Sequence, residues 1–295
     1  MANVYGMYQL GSGQKLEPAE KKYRIPPYSY KTDADEDTFA LPKGELIKTI
    51  SYNSALVEDC PNEGKEYQNN IQRQLSVYNE MVLTYAPFLK KMSSIFKIDP
   101  NSMSFTKLCS LYDTIRVDIY LGRPLPSEFT KEDQANIEHL YYWYQHFTHS
   151  FDLSRAFATF ALNQVVGSFN KKVKNESADS KWTTISTFEG DLISVMNNLN
   201  ISSASCIEEL YRKGSTSALN CEGSTPFASN ILFELYSDNQ QDFYVKVRKN
   251  GKYVNLCDKK QLTCDYNTFK GQLKNIVLPD AQAFCGYSSS PEKHA

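Results

Sequence analysis

The spacing of apolar residues changes along this chain, from a helical period in the middle to short strand patterns near the end. Over residues 66–96 apolar positions recur at threes and fours, which predicts a long helix. The same period predicts helices within residues 101–118 and 153–173. Thr130, with Asp133 in a capping-box-like position, predicts the start of another helix that runs to about His146.

The last third of the sequence has strand patterns. Residues 181–187 are rich in β-branched side chains and predict a strand, and a helical pattern follows at once over 192–199. Residues 231–236, 242–248 and 253–256 predict further strands, the last two joined by a type I′ hairpin at Asn250-Gly251. We expect a meander of strands to close the chain. The mixture predicts an α/β sheet domain with a large helical insertion.

Composition excludes several classes of protein. The 295 residues are 41% apolar and 22% charged, which is ordinary for a globular chain. The formal net charge of −2 lacks the basic excess that nucleic-acid binding needs. No run of about 18 apolar residues predicts a membrane span, and residues 1–13 do not have the pattern of a signal peptide.

Seven cysteines nevertheless favour a secreted or lumenal protein. They do not form paired Cys-x-x-Cys motifs, so disulfides with one thiol left over are favoured over a metal site. Glycosylation sequons begin at Asn175 and Asn200, which fits the same compartment. If the chain is exported, we expect its signal to lie outside this sequence.

Two other patterns have a functional and a structural interpretation. His146 and His149, with Asp152, have the spacing of metal ligands, but their aromatic neighbours favour helix-surface histidines without a metal. Gly11-Ser12-Gly13 is interpreted as a turn, because no Walker motif follows.

The corner at residues 185–192 places carboxylates at a predicted helix start. Capping and the helix dipole favour acidic residues there in any protein. The functional alternative is a carboxyl group held at the C-terminal edge of a sheet, where α/β proteins place their sites.

Several separate blocks, taken in order, carry a family resemblance. They are residues 7–13, residues 24–27, Cys60-Pro61 before a helix, residues 110–113, Leu125-Pro126, residues 186–199, Pro226-Phe227-Ala228-Ser229 and Phe233-Glu234-Leu235. This order resembles the histidine acid phosphatase family, the larger branch of the histidine phosphatase superfamily. The resemblance implies a phosphatase-like sheet domain flanked by helices: residues 1–60 and 179–295 would form the α/β part, and 61–178 the helical insertion.

The resemblance also implies disulfide pairing and a reaction. Cys60 would pair with Cys285 and Cys257 with Cys264. Cys206 and Cys221 flank a loop rich in Ser and Gly, so we expect them to form a third pair and Cys109 to stay free. The implied reaction is phosphomonoester hydrolysis through a phosphohistidine, with no cofactor and no metal. A secreted, lysosomal or other lumenal location is implied, and a homo-oligomer is compatible with it.

The sequence departs from the family pattern at the residues that carry out the reaction. No Arg-His-Gly-x-Arg-x-Pro nucleophile segment occurs, so we expect the N-terminal part of the sheet to be missing and the chain alone to be inactive. Phe188 stands where the family has its phosphate-binding histidine, and Glu189 stands at the proton-donor position. The alternative is a catalytically dead secreted or lumenal pseudophosphatase that acts as a binding protein.

Overall fold

The computed structural model describes residues 32–33, 36–40, 46–51, 60–174, 182–238, 242–257 and 260–286. Strands and helices follow in the order β1 Thr32–Asp33, β2 Glu36–Ala40, β3 Leu46–Ser51, α1 Glu63–Arg73, α2 Leu75–Ile95, α3 Phe105–Tyr120, α4 Lys131–Thr148, α5 Phe151–Val173, β4 Trp182–Ser186, α6 Glu189–Asn198, α7 Ala204–Lys213, β5 Ile231–Ser237, β6 Phe243–Lys249, β7 Lys252–Tyr253, β8 Cys264–Asp265, α8 Tyr266–Ile276 and α9 Ala281–Phe284. The predicted mixture of helices and strands is confirmed.

Two small sheets lie among the helices. In the first, with the order β1-β2-β3-β4, β4 runs parallel to β3 and Ser186 lies opposite Ser51. In the second, β6 pairs antiparallel with β5, β7 and β8. The boundaries proposed at residues 60 and 178 stay a prediction, and Gly11-Ser12-Gly13 lies outside the described residues.

Local signals in the sequence set several of the boundaries. The side chain of Thr130 accepts from the Asp133 amide, and Asp133 accepts from Thr130, so the capping box at the start of α4 is confirmed. Asn250 and Gly251 both have positive φ, 49° and 83°, as a type I′ turn requires. The helix predicted over residues 66–96 is two helices, because the backbone leaves helical geometry at Gln74.

Strands β5, β6 and β7 form the expected antiparallel meander, but they do not end the described part of the chain. Of the strand predicted at 253–256, only Tyr253 lies in a strand, β7, and two helices end the described part of the chain. Asp265 caps α8 by accepting a hydrogen bond from the Thr268 amide, which turns the short strand β8 directly into a helix. Tyr266, Phe269 and Leu273 of that helix are buried at helical spacing.

Helix α4 lies at the centre of the largest core. Its residues Ile137, Leu140 and Trp143 are at most 1% exposed and belong to one cluster with α2 and α3. A second cluster joins α5 and α6 to the second sheet and α8. The N-terminal turn of α6 therefore lies close to α4 and α5, in the region that holds the candidate site.

All three predicted cysteine pairs lie at disulfide distance. Cα–Cα distances are 4.7 Å for Cys60–Cys285 and 5.9 Å for both Cys206–Cys221 and Cys257–Cys264. Cys109 is free and buried, and burial raises the pKa of its thiol. Among the described residues, no helix combines the length and the apolarity that crossing a membrane takes.

Candidate active site

The corner between β4 and α6 presents carboxylates at the start of a helix. Strand β4 ends at Ser186, Phe188 is the extended N-cap residue, and α6 begins at Glu189. Glu189 and Asp191 lie in the first turn, where the helix dipole favours negative charge. Because β4 is parallel to β3, both carboxylates follow the carboxyl end of a parallel strand, the edge at which α/β sheets place their sites.

Side chains from three other segments hold the carboxylate of Glu189. Arg116 of α3 donates from Nη1 to Oε1 over 3.3 Å and from Nη2 to Oε2 over 3.1 Å. The hydroxyl of Tyr141 on α4 donates to Oε2 over 2.5 Å, and the hydroxyl of Thr225 donates to Oε1. These contacts fix the direction of the carboxylate while 22% of its side chain stays exposed.

Arg116 is itself enclosed by aromatic rings and a second carboxylate. Its guanidinium lies 5.2 Å from the ring centre of Tyr141 and 5.1 Å from that of Phe227, both within cation–π range. Asp113 lies 3.2 Å from its Nη2. Burial lowers the pKa of Arg116, but the hydrogen bonds and charge of Glu189 outweigh burial and raise it. The site therefore contains a fixed positive charge.

A cavity of about 370 Å³ adjoins this corner. Its wall consists of acidic, aromatic and neutral polar residues: Glu63, Tyr67, Tyr141, Gln145, His149, Phe157, Phe188, Glu189, Gly190 and Asp191. A larger cavity of about 740 Å³ contains neither Glu189 nor Asp191 in its wall. We therefore place the candidate site at the smaller one.

Phe188 and Asp191 occupy opposite extremes of exposure in this site. The ring of Phe188 is 53% exposed and offers no hydrogen bond. Asp191 is 2% exposed, and its Oδ2 accepts from the Thr187 hydroxyl. Burial raises the pKa of Asp191 to about 6. Its Oδ1 has no hydrogen-bond partner in the described part of the chain.

His149 lies against the same helix turn. Burial lowers the pKa of its imidazole to about 4, so the ring is neutral at pH 7. Nδ1 lies 2.9 Å from the carbonyl oxygen of Gln145, which can only accept, so Nδ1 carries the hydrogen and Nε2 has the lone pair. Nε2 lies 3.0 Å from the hydroxyl oxygen of Tyr67, whose single hydrogen donates to Glu63 over 2.5 Å.

Gly190 allows this close packing. A Cβ atom at this position would lie 2.9 Å from Nε2 of His149. Any other residue would therefore push the histidine away from the helix start.

The histidines do not form the metal site that their spacing suggested. His146 contacts Asn197 and the carbonyl of Gly223, while His149 contacts Tyr67 and Gln145. No group of three or more His, Cys, Asp or Glu side chains within the described ranges is placed to hold a metal ion. The expected surface position is wrong: His146 is 2% and His149 5% exposed. Helix α4 is apolar almost all round here, and such a helix is buried.

The sequence did not point to Arg116, Tyr141 or Thr225. They lie 73, 48 and 36 residues from Glu189, so no short motif joins them. Tyr112 and Arg116 share a helix face at a spacing of four residues, which gives the one local hint of a cation packed on aromatics.

Comparisons with known proteins bear on this site. The family model described as histidine phosphatase superfamily (branch 2) matches residues 1–250. The structure is similar to that of an apo-form phytase from Hafnia alvei, with a TM-score of 0.53 and 13% sequence identity, covering 74% of this chain and 66% of the phytase. The chain thus spans slightly less than two thirds of the phytase, and at this identity the likeness concerns the fold alone. No curated protein matches the sequence.

Proposed function

The chain belongs to branch 2 of the histidine phosphatase superfamily, and on this premise we propose that the protein acts on phosphomonoesters with Glu189 as proton donor to the leaving group. The observation that carries the proposal is the position of Glu189. It lies in the first turn of α6, in the wall of a cavity of about 370 Å³, and Arg116 and Tyr141 fix its direction. A carboxyl group so placed is suited to general acid–base catalysis.

The proposed reaction has two steps. A histidine nitrogen attacks phosphorus, the N–P bond forms, the P–O bond to the leaving group breaks, and the leaving oxygen takes the proton of Glu189. Water then attacks phosphorus, a new O–P bond forms and the N–P bond breaks, and the Glu189 carboxylate takes a proton from the water. Phosphate leaves, and both the histidine and the protonated Glu189 are restored. Arg116, Tyr141 and Thr225 all donate to Glu189, so they hold its carboxyl group in one orientation through both steps.

The nucleophile of this reaction is not assigned to a residue of this chain. The 295 residues contain no Arg-His-Gly segment. The neutral Nε2 of His149 lies 3.0 Å from the Tyr67 hydroxyl, in a wall that has neither Lys nor Arg among the described residues. A transferring phosphoryl group needs donors or cations around its oxygens. We therefore expect no turnover from the 295 residues alone.

The second candidate function is that of a binding protein without turnover. Phe188 favours it, because its ring occupies the cavity wall at the position implied for a phosphate-binding histidine and offers no hydrogen bond to a phosphoryl oxygen. In this case Arg116 and Tyr141 would hold Glu189 for ligand binding only.

A pair of substrates with different leaving groups separates the two functions. The assay uses protein expressed from the whole transcript. The 5′ end of the transcript is mapped first, so that any in-frame sequence before Met1 is included. With glycerol 2-phosphate, whose alkoxide needs a proton, we expect Glu189→Gln to lower kcat by about 100-fold or more. With 4-nitrophenyl phosphate the loss is much smaller, because nitrophenolate leaves without a proton.

The matched control is Glu132→Gln, which removes an exposed carboxylate from α4 and leaves both rates unchanged. Equal losses on both substrates contradict Glu189 as the acid. Absence of turnover by the folded, complete protein contradicts the phosphatase function and supports the binding protein.

We also propose that the protein folds in an oxidising compartment, either secreted or lumenal. The three cysteine pairs at disulfide distance support this location. Asn200, the first residue of a sequon, is exposed at a turn, and glycosylation there would add further support. Mass spectrometry of secreted protein before and after glycosidase treatment tests both statements.

A further inference from the structure

The cavity beside Glu189 has an excess of negative charge. Three carboxylates line it, those of Glu63, Glu189 and Asp191, and neither Lys nor Arg lines it among the described residues. Arg116 neutralises Glu189 from behind the wall. Asp191 has no basic side chain at ion-pair distance in the part of the chain that the structure describes. A phosphate group in this cavity would face repulsion from the carboxylates.

Acceptors in the cavity wall are left without enough donors at two places. Oδ1 of Asp191 is buried without a partner. Tyr67 has one hydroxyl hydrogen, and two acceptors lie within reach of it, Oε1 of Glu63 and Nε2 of His149. A buried acceptor without a donor is costly. A ligand that brings several N–H donors would satisfy these groups.

Aromatic faces complete the wall. Phe188 is 53% exposed, and the rings of Phe157, Tyr67 and Tyr141 also line the cavity. Aromatic rings attract organic cations, and a carboxylate among them strengthens the attraction. His149 does not oppose a cation, because it is neutral at pH 7.

From these contacts we propose that the cavity binds an organic ammonium group, which donates to Oδ1 of Asp191 while its carbon skeleton packs on Phe188. An organic cation is favoured over a metal ion, because the described residues contain no group of three or more side chains placed to hold one. The next inference rests on the proposed function. Since Glu189 lines the same cavity and protonates the leaving group, the ammonium belongs to the leaving group. The substrate class is then an aminoalkyl phosphomonoester.

Calorimetric titration of the 295-residue chain at pH 7.5 tests the binding directly, without turnover. The probes are benzylamine, which is an ammonium at this pH, and benzyl alcohol, its neutral counterpart. We expect benzylamine to bind with Kd below about 1 mM and benzyl alcohol at least about tenfold more weakly. Equal affinities, or inorganic phosphate binding more tightly than benzylamine, overturn the proposal.

Variants show whether the cation binds in this cavity. Asp191→Asn keeps an oxygen acceptor for Thr187. It should weaken the binding of benzylamine at least about tenfold and leave the affinity for benzyl alcohol unchanged. Asp118→Asn removes a carboxylate that pairs with Arg123 on the surface, and should change neither. Phe188→Ala removes an exposed ring without hydrogen bonds, so it should fold normally and weaken benzylamine more than methylamine. Unchanged benzylamine affinity in folded Asp191→Asn or Phe188→Ala overturns the proposal.

The substrate inference has its own readout in the complete protein. We expect kcat/KM to be at least about tenfold higher for 2-aminoethyl phosphate than for 2-hydroxyethyl phosphate, and the ratio to fall towards one in Asp191→Asn. Hydrolysis of both substrates at equal rates overturns the inference and leaves the phosphatase function standing. Ammonium binding without any hydrolysis supports the cation site and overturns the phosphatase function.

Discussion

Nη2 of Arg116 lies 3.1 Å from Oε2 of Glu189, so an ion pair joins helix α3 to the first turn of α6. Both side chains are about a fifth exposed, 21% for Arg116 and 22% for Glu189. The pair is thus neither a fully solvated surface contact nor a fully desolvated one. It fixes the one carboxylate to which we assign the proton transfer.

Replacing Arg116 by Gln should destabilise the protein by about 1 to 3 kcal/mol, because it leaves the half-buried Glu189 carboxylate without its cation. Urea unfolding at pH 7 measures the free energy. The control Arg123→Gln breaks the pair with Asp118, in which Arg123 is 63% exposed, and should cost less than about 1 kcal/mol. Equal costs for the two variants contradict a structural role for the Arg116–Glu189 pair.

Gly190→Ala should lower the free energy of unfolding by about 1 to 3 kcal/mol, because the new Cβ would lie 2.9 Å from Nε2 of the buried His149. Gly167→Ala in α5 is the matched control: no atom lies within 4 Å of its added Cβ, so it should stabilise the helix by about 0.5 to 1 kcal/mol. In a His149→Ala background the cost of Gly190→Ala should largely disappear. An undiminished cost there shows that the clash is not with the histidine.

His149 and Asp191 should have opposite effects on stability in acid. Burial lowers the pKa of His149 from 6.5 to about 4, so the unfolded chain binds its proton more readily, and stability falls as the pH falls across that window. Burial raises the pKa of Asp191 from 3.8 to about 6, so the folded chain binds that proton more readily, and stability rises as the pH falls from about 6 to 3.8.

Asp191→Asn should therefore reveal the effect of His149. Compared with the unsubstituted protein, the variant should lose about 2 kcal/mol more of its free energy of unfolding between pH 7 and pH 4. His149→Asn should instead lose less free energy of unfolding between pH 7 and pH 4 than the unsubstituted protein does. Urea unfolding at pH 7 and pH 4 measures these free energies. The neighbouring titratable groups Glu63, Glu189 and His146 are present in all three proteins, so their own contributions cancel in the comparison. Parallel pH profiles for all three proteins contradict the coupling of these two groups to folding.

The two disulfides that differ most in loop length should contribute unequally to the stability of the protein. Cys60–Cys285 closes 225 residues and Cys257–Cys264 closes 7, so the longer loop constrains the unfolded chain more. Paired Cys→Ser variants should lower the free energy of unfolding by about 5 kcal/mol for the first bridge and by about 2 kcal/mol for the second. Thermal melting of the two double variants, each with the other bridges intact, measures the order. The reverse order contradicts this entropic account.

The site could be predicted from the sequence only where the signals are local. Thr130 and Asp133 form their cap within one turn, and β4 leads directly into α6, so the corner with Phe188 and Glu189 was visible as a pattern. The partners of Glu189 were not visible, because Arg116 and Tyr141 approach it through the packing of α3 and α4. Spacing along the chain contains no information about such contacts.

The histidines show why a periodic pattern is harder to interpret in an aromatic helix. The two polar side chains of His146 and His149 suggested a solvated face of α4. Both instead bond to backbone carbonyls in the core, those of Gly223 and Gln145. A polar residue can be buried when the fold supplies its partner, and that partner lies elsewhere in the chain for His146.

The Cys60–Cys285 bridge gives the protein a mechanical property. All residues from 61 to 284 lie inside one covalent ring. A protease that cuts a single exposed loop within it opens the ring without releasing a fragment, so the nicked chain migrates as one piece until a reductant is added. A force applied to the two ends of the chain bypasses the ring through the sulfur atoms, and the enclosed helices and sheets do not bear the load.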